Sequence, residues 1–326
     1  MKYLRIFFLL LCSSGYAYGQ VSNSNLWLFS LTYNDENVAV KQAQKLTDTD
    51  SYTNQPHFLP GDIRLYYTQS FPVGASEQTD ILLYDPVHRY HLPVTHTAES
   101  EYSPTPMPAQ QAGFSVIRVA EDNKQWLWQY SEEGESVGKI FAVEPVGYHV
   151  WIDNNDALAF ILGEPNILMR LRNDSKSQVV DEDIGPSLWA IPGTALFSYT
   201  KNPAPDTQPW TLMAYDPKLD STTVLVTLPR DAYYVAWTHK GQALTAVGSQ
   251  LLVWDFTEPV QDRRPQLGDA VEAQQGNLPS KAETGPNAVA SEWQPWLNIA
   301  EYCPKGATRT AMSADNGDYL AVVCAE

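Results

Sequence analysis

Apolar positions in this chain fall into short runs separated by polar turns, with little of the 3.6-residue spacing that an amphipathic helix requires. The stretch from Gly147 to Arg170, GYHVWIDNNDALAFILGEPNILMR, shows the pattern most plainly. An approach containing Tyr148, Val150 and Trp151 leads to the turn Asp153-Asn154-Asn155-Asp156, then an apolar run from Ala157 to Leu162, a Gly-Glu-Pro turn, and a second run from Ile167 to Met169. Short runs bounded by Gly, Pro, Asn and Asp are strand and turn signals, so this stretch predicts a three-stranded antiparallel meander. Only Ala270 to Gln275 has helical spacing, which argues against a helical solenoid or a two-domain α/β enzyme.

The same unit recurs at Phe58 to Tyr67, Met107 to Val119, Trp189 to Tyr199, Trp237 to Val247 and Met312 to Cys324, giving six copies. Steps of roughly 40 to 50 residues separate them, the spacing of four-stranded blades, except before the last copy. There, Thr257 to Ser291 is rich in Pro, Gly, Ala, Gln and charge, and reads as a mobile loop (257–291) inserted between two strands. Third strands are expected at Asp80–Asp85, Gln125–Tyr130, Asn166–Met169, Trp210–Asp216 and Gln250–Asp255. Fourth, edge strands are expected at Tyr90–Val94, Lys139–Val143, Gln178–Val180, Thr222–Leu228 and Trp296–Ala300.

The last copy lacks its outer strands, while Asn25–Ser30 and Val38–Leu46 precede the first copy without an inner pair of their own. Pairing the two removes both open ends of the array. The expected fold is all-β: a six-bladed β-propeller of four-stranded antiparallel blades, closed by pairing the N-terminal strands with the C-terminal blade. Its blades would be 54–96, 100–143, 147–182, 185–230, 232–302, and 307–326 completed by 21–49. Large aromatics fill the widening gaps between such blades, so Trp27, Trp126, Trp128, Trp151, Trp189, Trp210, Trp237 and Trp254 are expected mostly in the core.

At these turns the sequence resembles the WD40-like (PD40) repeats of TolB-type propellers, clearest at Gln55-Pro-His-Phe-Leu-Pro-Gly61 and Met312-Ser-Ala-Asp-Asn-Gly317. Asn54–Phe58, Ser100–Pro108, Pro145–Asp153 and Asp183–Ser187 also look like exported bacterial TolB-like propellers. The resemblance spans nearly the whole mature chain and implies an exported six-bladed propeller; fold-level likeness carries no activity with it. The turns at Pro104–Gln111 and Trp189–Gly193 depart from the motif, and the N-terminal α/β domain of true TolB is not expected here.

With 326 residues, 44% of them hydrophobic, the chain can bury a large core. Residues 1–19 have the layout of a secretory signal: Lys2 and Arg5, an apolar run from Ile6 to Leu11 too short to span a bilayer, and Ala17-Tyr18-Gly19. The mature domain would then be 20–326, in the periplasm or outside the cell, with no transmembrane segment. Cys12 raises the alternative of a lipid anchor, but Leu11 is bulky where that processing takes a small residue. After cleavage Cys303 and Cys324 remain, an even pair consistent with one disulfide or with two buried thiols. A formal net charge of −17 repels phosphate backbones and argues against nucleic acid as a partner.

No Gly-x-Ser-x-Gly elbow and no His-Glu-x-x-His motif occurs. His88, His91 and His96 alternate along a hairpin and read as a solvated face; the Asp153–Asp156 stretch lacks the glycine and distal glutamate of a calcium loop and reads as a turn. No metal or cofactor is expected. Residues just ahead of each innermost strand should ring the channel mouth: Asn54 and Gln55, Glu101 and Tyr102, Tyr148 and His149, Gly185 and Ser187, Tyr233 and Tyr234, Thr308 and Arg309. They form a candidate site for a small ligand or peptide tip, with Arg309 and Glu101 as the first pair to test, although such residues also serve to close blade junctions. Two functions follow: a non-catalytic scaffold binding an envelope or secreted protein, or a propeller enzyme of the lactonase, lyase or glycosidase type with Glu101 and His149 as acid and base.

Overall fold

The computed structural model describes residues 23–326 apart from 35–36, 75, 110, 174, 205–208, 257–291 and 315–316. The signal-like segment 1–19, Cys12 and the inserted stretch 257–291 therefore lie outside the described residues.

Blade one comprises β3 (Thr53–Phe58), β4 (Leu65–Val73), β5 (Ser76–Asp85) and β6 (Tyr90–Pro93). Blade two is β7 (Ser100–Pro106), β8 (Phe114–Val119), β9 (Gln125–Tyr130) and β10 (Ser136–Lys139); blade three is β11 (Val146–Trp151), β12 (Asp156–Ile161), β13 (Ile167–Arg172) and β14 (Gln178–Glu182). Blade four is β15 (Ile184–Ala190), β16 (Phe197–Lys201), β17 (Thr211–Asp216) and β18 (Ser221–Thr227); blade five is β19 (Val235–Trp237), β20 (Gln242–Val247), β21 (Gln250–Asp255) and β22 (Gln294–Asn298). Blade six joins β23 (Ala307–Met312) and β24 (Tyr319–Ala325) to β1 (Ser24–Asn34) and β2 (Asn37–Lys45), in the order β2-β1-β24-β23. All six sheets are four-stranded.

Closure is antiparallel pairing of β1 with β24, in register from Ser24 opposite Ala325 to Ser30 opposite Tyr319. Phe29, Leu320 and Val322 bury this seam against blade five, together with Cys303 and Cys324, which form a disulfide with Cα atoms 5.2 Å apart.

The innermost strands are the edges that face the channel, which is where a sheet tolerates proline. Pro56, Pro104 and Pro186 occupy them. Pairing slips near the same level: between Asn54 and His57, Tyr102 and Thr105, Val146 and Tyr148, Ile184 and Leu188, and Ala307 and Thr310. Bulges re-aim side chains at the rims of closed sheets. Two hold non-glycine residues at positive φ, Gln55 at 57° and Ser103 at 54°.

One expectation is refined and one corrected. Of the eight tryptophans expected mostly in the core, Trp210, Trp237 and Trp254 are buried, and Trp27, Trp128, Trp151 and Trp189 are partly buried and pack against core clusters; Trp126 is partly buried outside them. The largest fully buried side chains are tyrosines, and each of the five ends in a hydrogen bond: Tyr67 to His91 (2.8 Å), Tyr84 to Gln44 (2.6 Å), Tyr130 to Glu101 (2.9 Å), Tyr199 to Asp181 (2.6 Å) and Tyr215 to Asp220 (2.8 Å). A phenol places its polar atom at its tip, so the ring can sink completely while the hydroxyl finds a partner; the side-mounted indole N–H is harder to satisfy at full burial. The edge strand of blade two is Ser136–Lys139 rather than Lys139–Val143. Ile140 still donates its N–H to the Leu127 carbonyl at 2.9 Å, while Phe141 and Val143 pack between blades two and three with Leu127, Val146 and Leu171, so their hydrophobicity marks a buried linker.

Candidate functional site

The channel opens into a vestibule of about 540 Å³ whose walls include Tyr52, Asn54, Tyr102, Tyr148, Tyr234 and Arg309. Below it lies a narrow compartment of about 80 Å³ reached by His57, Ser103, His149, Ser187 and Trp189. Gln55, Tyr148, Tyr234 and Arg309 line both, so they form the constriction between the two.

Arg309 projects from β23 of blade six and meets residues of two other blades. Its Nη2 donates to the Tyr148 hydroxyl of blade three at 2.7 Å. Its guanidinium carbon lies 4.7 Å from the centroid of the Tyr148 ring and 3.7 Å from that of Tyr234, which immediately precedes β19 of blade five. Burial works against the charge, but Tyr148, Tyr234 and Tyr52 outweigh it and hold the guanidinium above its ordinary range. None of the ion pairs among the described residues involves Arg309. Burial likewise pushes the Tyr52 and Tyr234 phenols up, so they present neutral rings and hydroxyl groups. Among the described residues lining the vestibule, Arg309 alone is charged. A permanent cation held by π faces, with no carboxylate on it, retains capacity for an incoming anion.

The expected ring separates into two sets. Asn54, Tyr102, Tyr148, Tyr234, Thr308 and Arg309 face the vestibule. Gln55 and Ser187 line the channel but also stitch blades together. The Gln55 Oε1 accepts from the Thr68 hydroxyl at 2.9 Å and from the Ser103 backbone N–H of blade two at 2.8 Å. The Ser187 Oγ donates to the carbonyl of Val235 and accepts from its N–H, each at 2.9 Å, which ties blade four to blade five. Tyr233 packs edge-on against Trp210 with centroids 4.8 Å apart, and Gly185 sits where a Cβ would come within 2.7 Å of that indole.

The pairing of Arg309 with Glu101 is not formed. Glu101 is fully buried and accepts from Tyr130 at 2.9 Å, Thr97 at 2.5 Å and Thr95 at 3.2 Å. Neighbouring strand residues point to opposite faces, so the turn of Tyr102 into the vestibule sends Glu101 into the sheet packing. Burial raises the Glu101 carboxyl from 4.5 to about 7. Glu101 and His149 therefore do not share a cavity as an acid and base pair; Glu101 lines neither compartment.

His149 belongs to the lower compartment. Its Nε2 lies 2.7 Å from the Ser115 hydroxyl, which also accepts the Trp151 indole N–H at 3.0 Å. Ser115 is fully buried, so this serine–histidine contact is enclosed. His57 stacks on Trp189 with centroids 5.3 Å apart. Burial lowers the two imidazoles to about 4 for His57 and about 3 for His149, leaving both neutral.

Tyr52, His57, Ser103 and Trp189 were outside the expected ring. Tyr52 stands one residue ahead of β3 and could have been included by the rule that selected Asn54; the other three sit within or at the far end of innermost strands, where only the bulges bring them to the channel. The hairpin histidines diverge: His88 contacts Asp85 at 2.9 Å, His91 contacts Tyr67 and His96 is 97% exposed. Asp153 accepts from the N–H groups of Asn155 and Asp156, closing a turn, while Asp156 is held by Arg170. Among the described residues no three His, Cys, Asp or Glu side chains group as a metal-ligand set.

No family model matches the chain and no curated relative matches it in sequence. Solved structures do match in fold. A protein of Agrobacterium tumefaciens assigned as a TolB aligns with a TM-score of 0.63 at 8% identity, covering 94% of this chain and 99% of its own. TolB from Acinetobacter baumannii aligns at 0.53 and 10% identity, over 94% of this chain and 65% of its own. A protein assigned as a gluconolactonase aligns at 0.55 and 9% identity, over 92% and 98%. Identities this low establish the fold alone: the chain is a TolB-like, six-bladed β-propeller.

Proposed function

We propose that this propeller is a non-catalytic binding module that captures an anionic group of a protein or peptide partner at the vestibule. The observation that carries the reading is Arg309, a cation sandwiched by Tyr148 and Tyr234 at the floor of a tyrosine-rich cavity whose other described lining residues are uncharged. Four tyrosines give wide contact area at little entropic cost, the chemistry by which recognition surfaces grip peptides. In a chain of net charge −17, a lone cation at the base of a funnel selects a single carboxylate over a polyanion. The disulfide between Cys303 and Cys324 supports an oxidising, extracytoplasmic setting, in the periplasm or beyond, and so an envelope or secreted partner.

The test is a melting assay with short peptides carrying free C-termini and acidic side chains, alongside their amidated and neutral counterparts. Acidic peptides are expected to raise the melting temperature of the wild-type chain and to leave Arg309→Ala unmoved. Equal shifts in both proteins would remove the vestibule from the account.

The alternative reading is an enzyme, and the gluconolactonase-like neighbour keeps that fold-level analogy open. It requires a different constellation from Glu101 with His149, since these two do not meet in one cavity.

A further inference from the structure

Arg309 and Tyr148 stand on opposite sides of the ring. Neighbouring blades touch in chain order, and from blade six either blades one and two or blades five and four must be passed to reach blade three. The 2.7 Å hydrogen bond from Arg309 to the Tyr148 hydroxyl therefore spans the channel as a bar, backed by the Tyr234 ring at 3.7 Å. Beyond the bar the channel narrows to the 80 Å³ compartment, so a ligand held at Arg309 has its room in the 540 Å³ vestibule.

That vestibule is not symmetric about the channel. Among the described residues none of its walls comes from blade four, and blade five supplies Tyr234 alone. Blade two contributes beyond its innermost strand, with Ile117 and Val119 of β8 and Gln125 of β9, and blade three adds Leu162, just after β12. Second and third strands stand farther from the axis than innermost ones, and Ile117 packs with Val146 and Ala157 of blade three. The cavity thus runs from Arg309 outward along the seam between blades two and three.

Its chemistry changes along this path. At the axis are the cation and the tyrosines; farther out Val119 and Leu162, both partly exposed, make an apolar patch with the buried Ile117. Gly147 of β11 has no side chain to cover that patch: a Cβ there would lie 3.5 Å from Leu162 Cγ. Asn123 and Thr308, both exposed, give the same cavity amide and hydroxyl groups that a peptide backbone can pair with. An isolated anion would use Arg309 and leave the patch in water, whereas a segment with an apolar side chain covers it and gains in proportion to the apolar area removed from water.

Building on the reading of Arg309 as an anion anchor, we infer that the vestibule takes a short segment of a partner polypeptide that carries an apolar side chain within a few residues of its carboxylate. The carboxylate sits at Arg309, the segment leaves the axis over blades two and three, and the apolar side chain lies on Val119 and Leu162.

Calorimetric titration of the intact chain tests this with end-capped peptides of alanine and serine that hold one internal aspartate. A single leucine is placed one, two or three residues from it on either side, a scan of about 10 Å of groove in each direction. A leucine-free peptide, an asparagine-for-aspartate peptide and hexanoate complete the set. In the best register leucine is expected to tighten binding about tenfold over the leucine-free peptide. Added salt should weaken both peptides while leaving their ratio unchanged, because it screens the ionic contact only. Val119→Asn should bring the leucine peptide down to the leucine-free level and leave the leucine-free peptide where it was, which also shows the variant to be folded. Leucine without advantage in any register, or with its full advantage retained in Val119→Asn, overturns the inference and leaves the Arg309 reading standing. Hexanoate binding as tightly as the leucine peptide assigns the groove to a free aliphatic acid and overturns the polypeptide segment. An asparagine peptide that binds as well as its aspartate counterpart removes the Arg309 reading as well.

Discussion

At the residue scale, two ionisable groups sit inside this protein without a full charge partner, with opposite consequences. Arg309 keeps its charge because a guanidinium loses its proton only far above physiological pH and because two π faces attend it. Glu101 yields instead: burial lifts it from 4.5 to about 7, against the hydrogen bonds from Thr97 and Tyr130 that favour the carboxylate. The folded chain thus holds a proton that the unfolded chain releases. Stability from this group is greatest below pH 4.5, declines as pH rises, and reaches its full deficit above about 7. The shift corresponds to a deficit on the order of 3 kcal/mol. Glu101→Gln should therefore be more stable than the wild type by up to that amount in urea unfolding at alkaline pH, with the advantage gone below pH 4.5. An advantage that does not vary with pH would show that packing, not proton uptake, governs the site.

Among the secondary-structure elements, the outer strands of the blades differ in how well they are guarded against pairing with another chain. Proline ends or interrupts β6 and β22, β10 is four residues long and carries Gly138 and Lys139, β14 ends in acidic residues, and β2 carries Lys41 and Lys45. These are the usual devices for protecting an edge. By contrast, β18 reads STTVLVT, seven residues without charge or proline, and Val224 is 65% exposed. Val224→Lys should leave the melting temperature nearly unchanged while reducing concentration-dependent light scattering; unchanged scattering would clear this edge as an association surface. Strands of this kind were well marked in the sequence. Gln125–Tyr130 and Gln250–Asp255 form over the expected residues because alternating or continuous apolar runs end at clear turns. Where apolar residues serve a linker, as at Phe141 and Val143, the pattern misplaces the strand, since burial rather than pairing fixes their hydrophobicity. The site was legible in height but not in direction: the chain shows which residues stand at the mouth, and alternation along the strand sends Tyr102 in and Glu101 away, a phase the sequence alone does not set.

For the whole molecule, the ring is closed by backbone pairing between segments about three hundred residues apart, Ser24 to Ser30 against Tyr319 to Ala325. Closing so long a loop carries an entropic cost, and the pairing joins the ring of six sheets end to end. A chain lacking residues 23–49 would leave β24 as an open edge and expose Phe29's partners Leu320 and Val322. It should populate aggregates rather than a monomer on size-exclusion chromatography, and a separately supplied 23–49 peptide should restore the monomer. A well-behaved truncated monomer would mean that the seam is dispensable. The seam also has a practical corollary. Ser24 and Ala325 both border the vestibule, so a purification tag or fluorescent fusion appended after Glu326 hangs over the opening and competes with whatever is meant to enter it. The exposed hairpin around Leu219, between β17 and β18, is a better attachment point for a reporter.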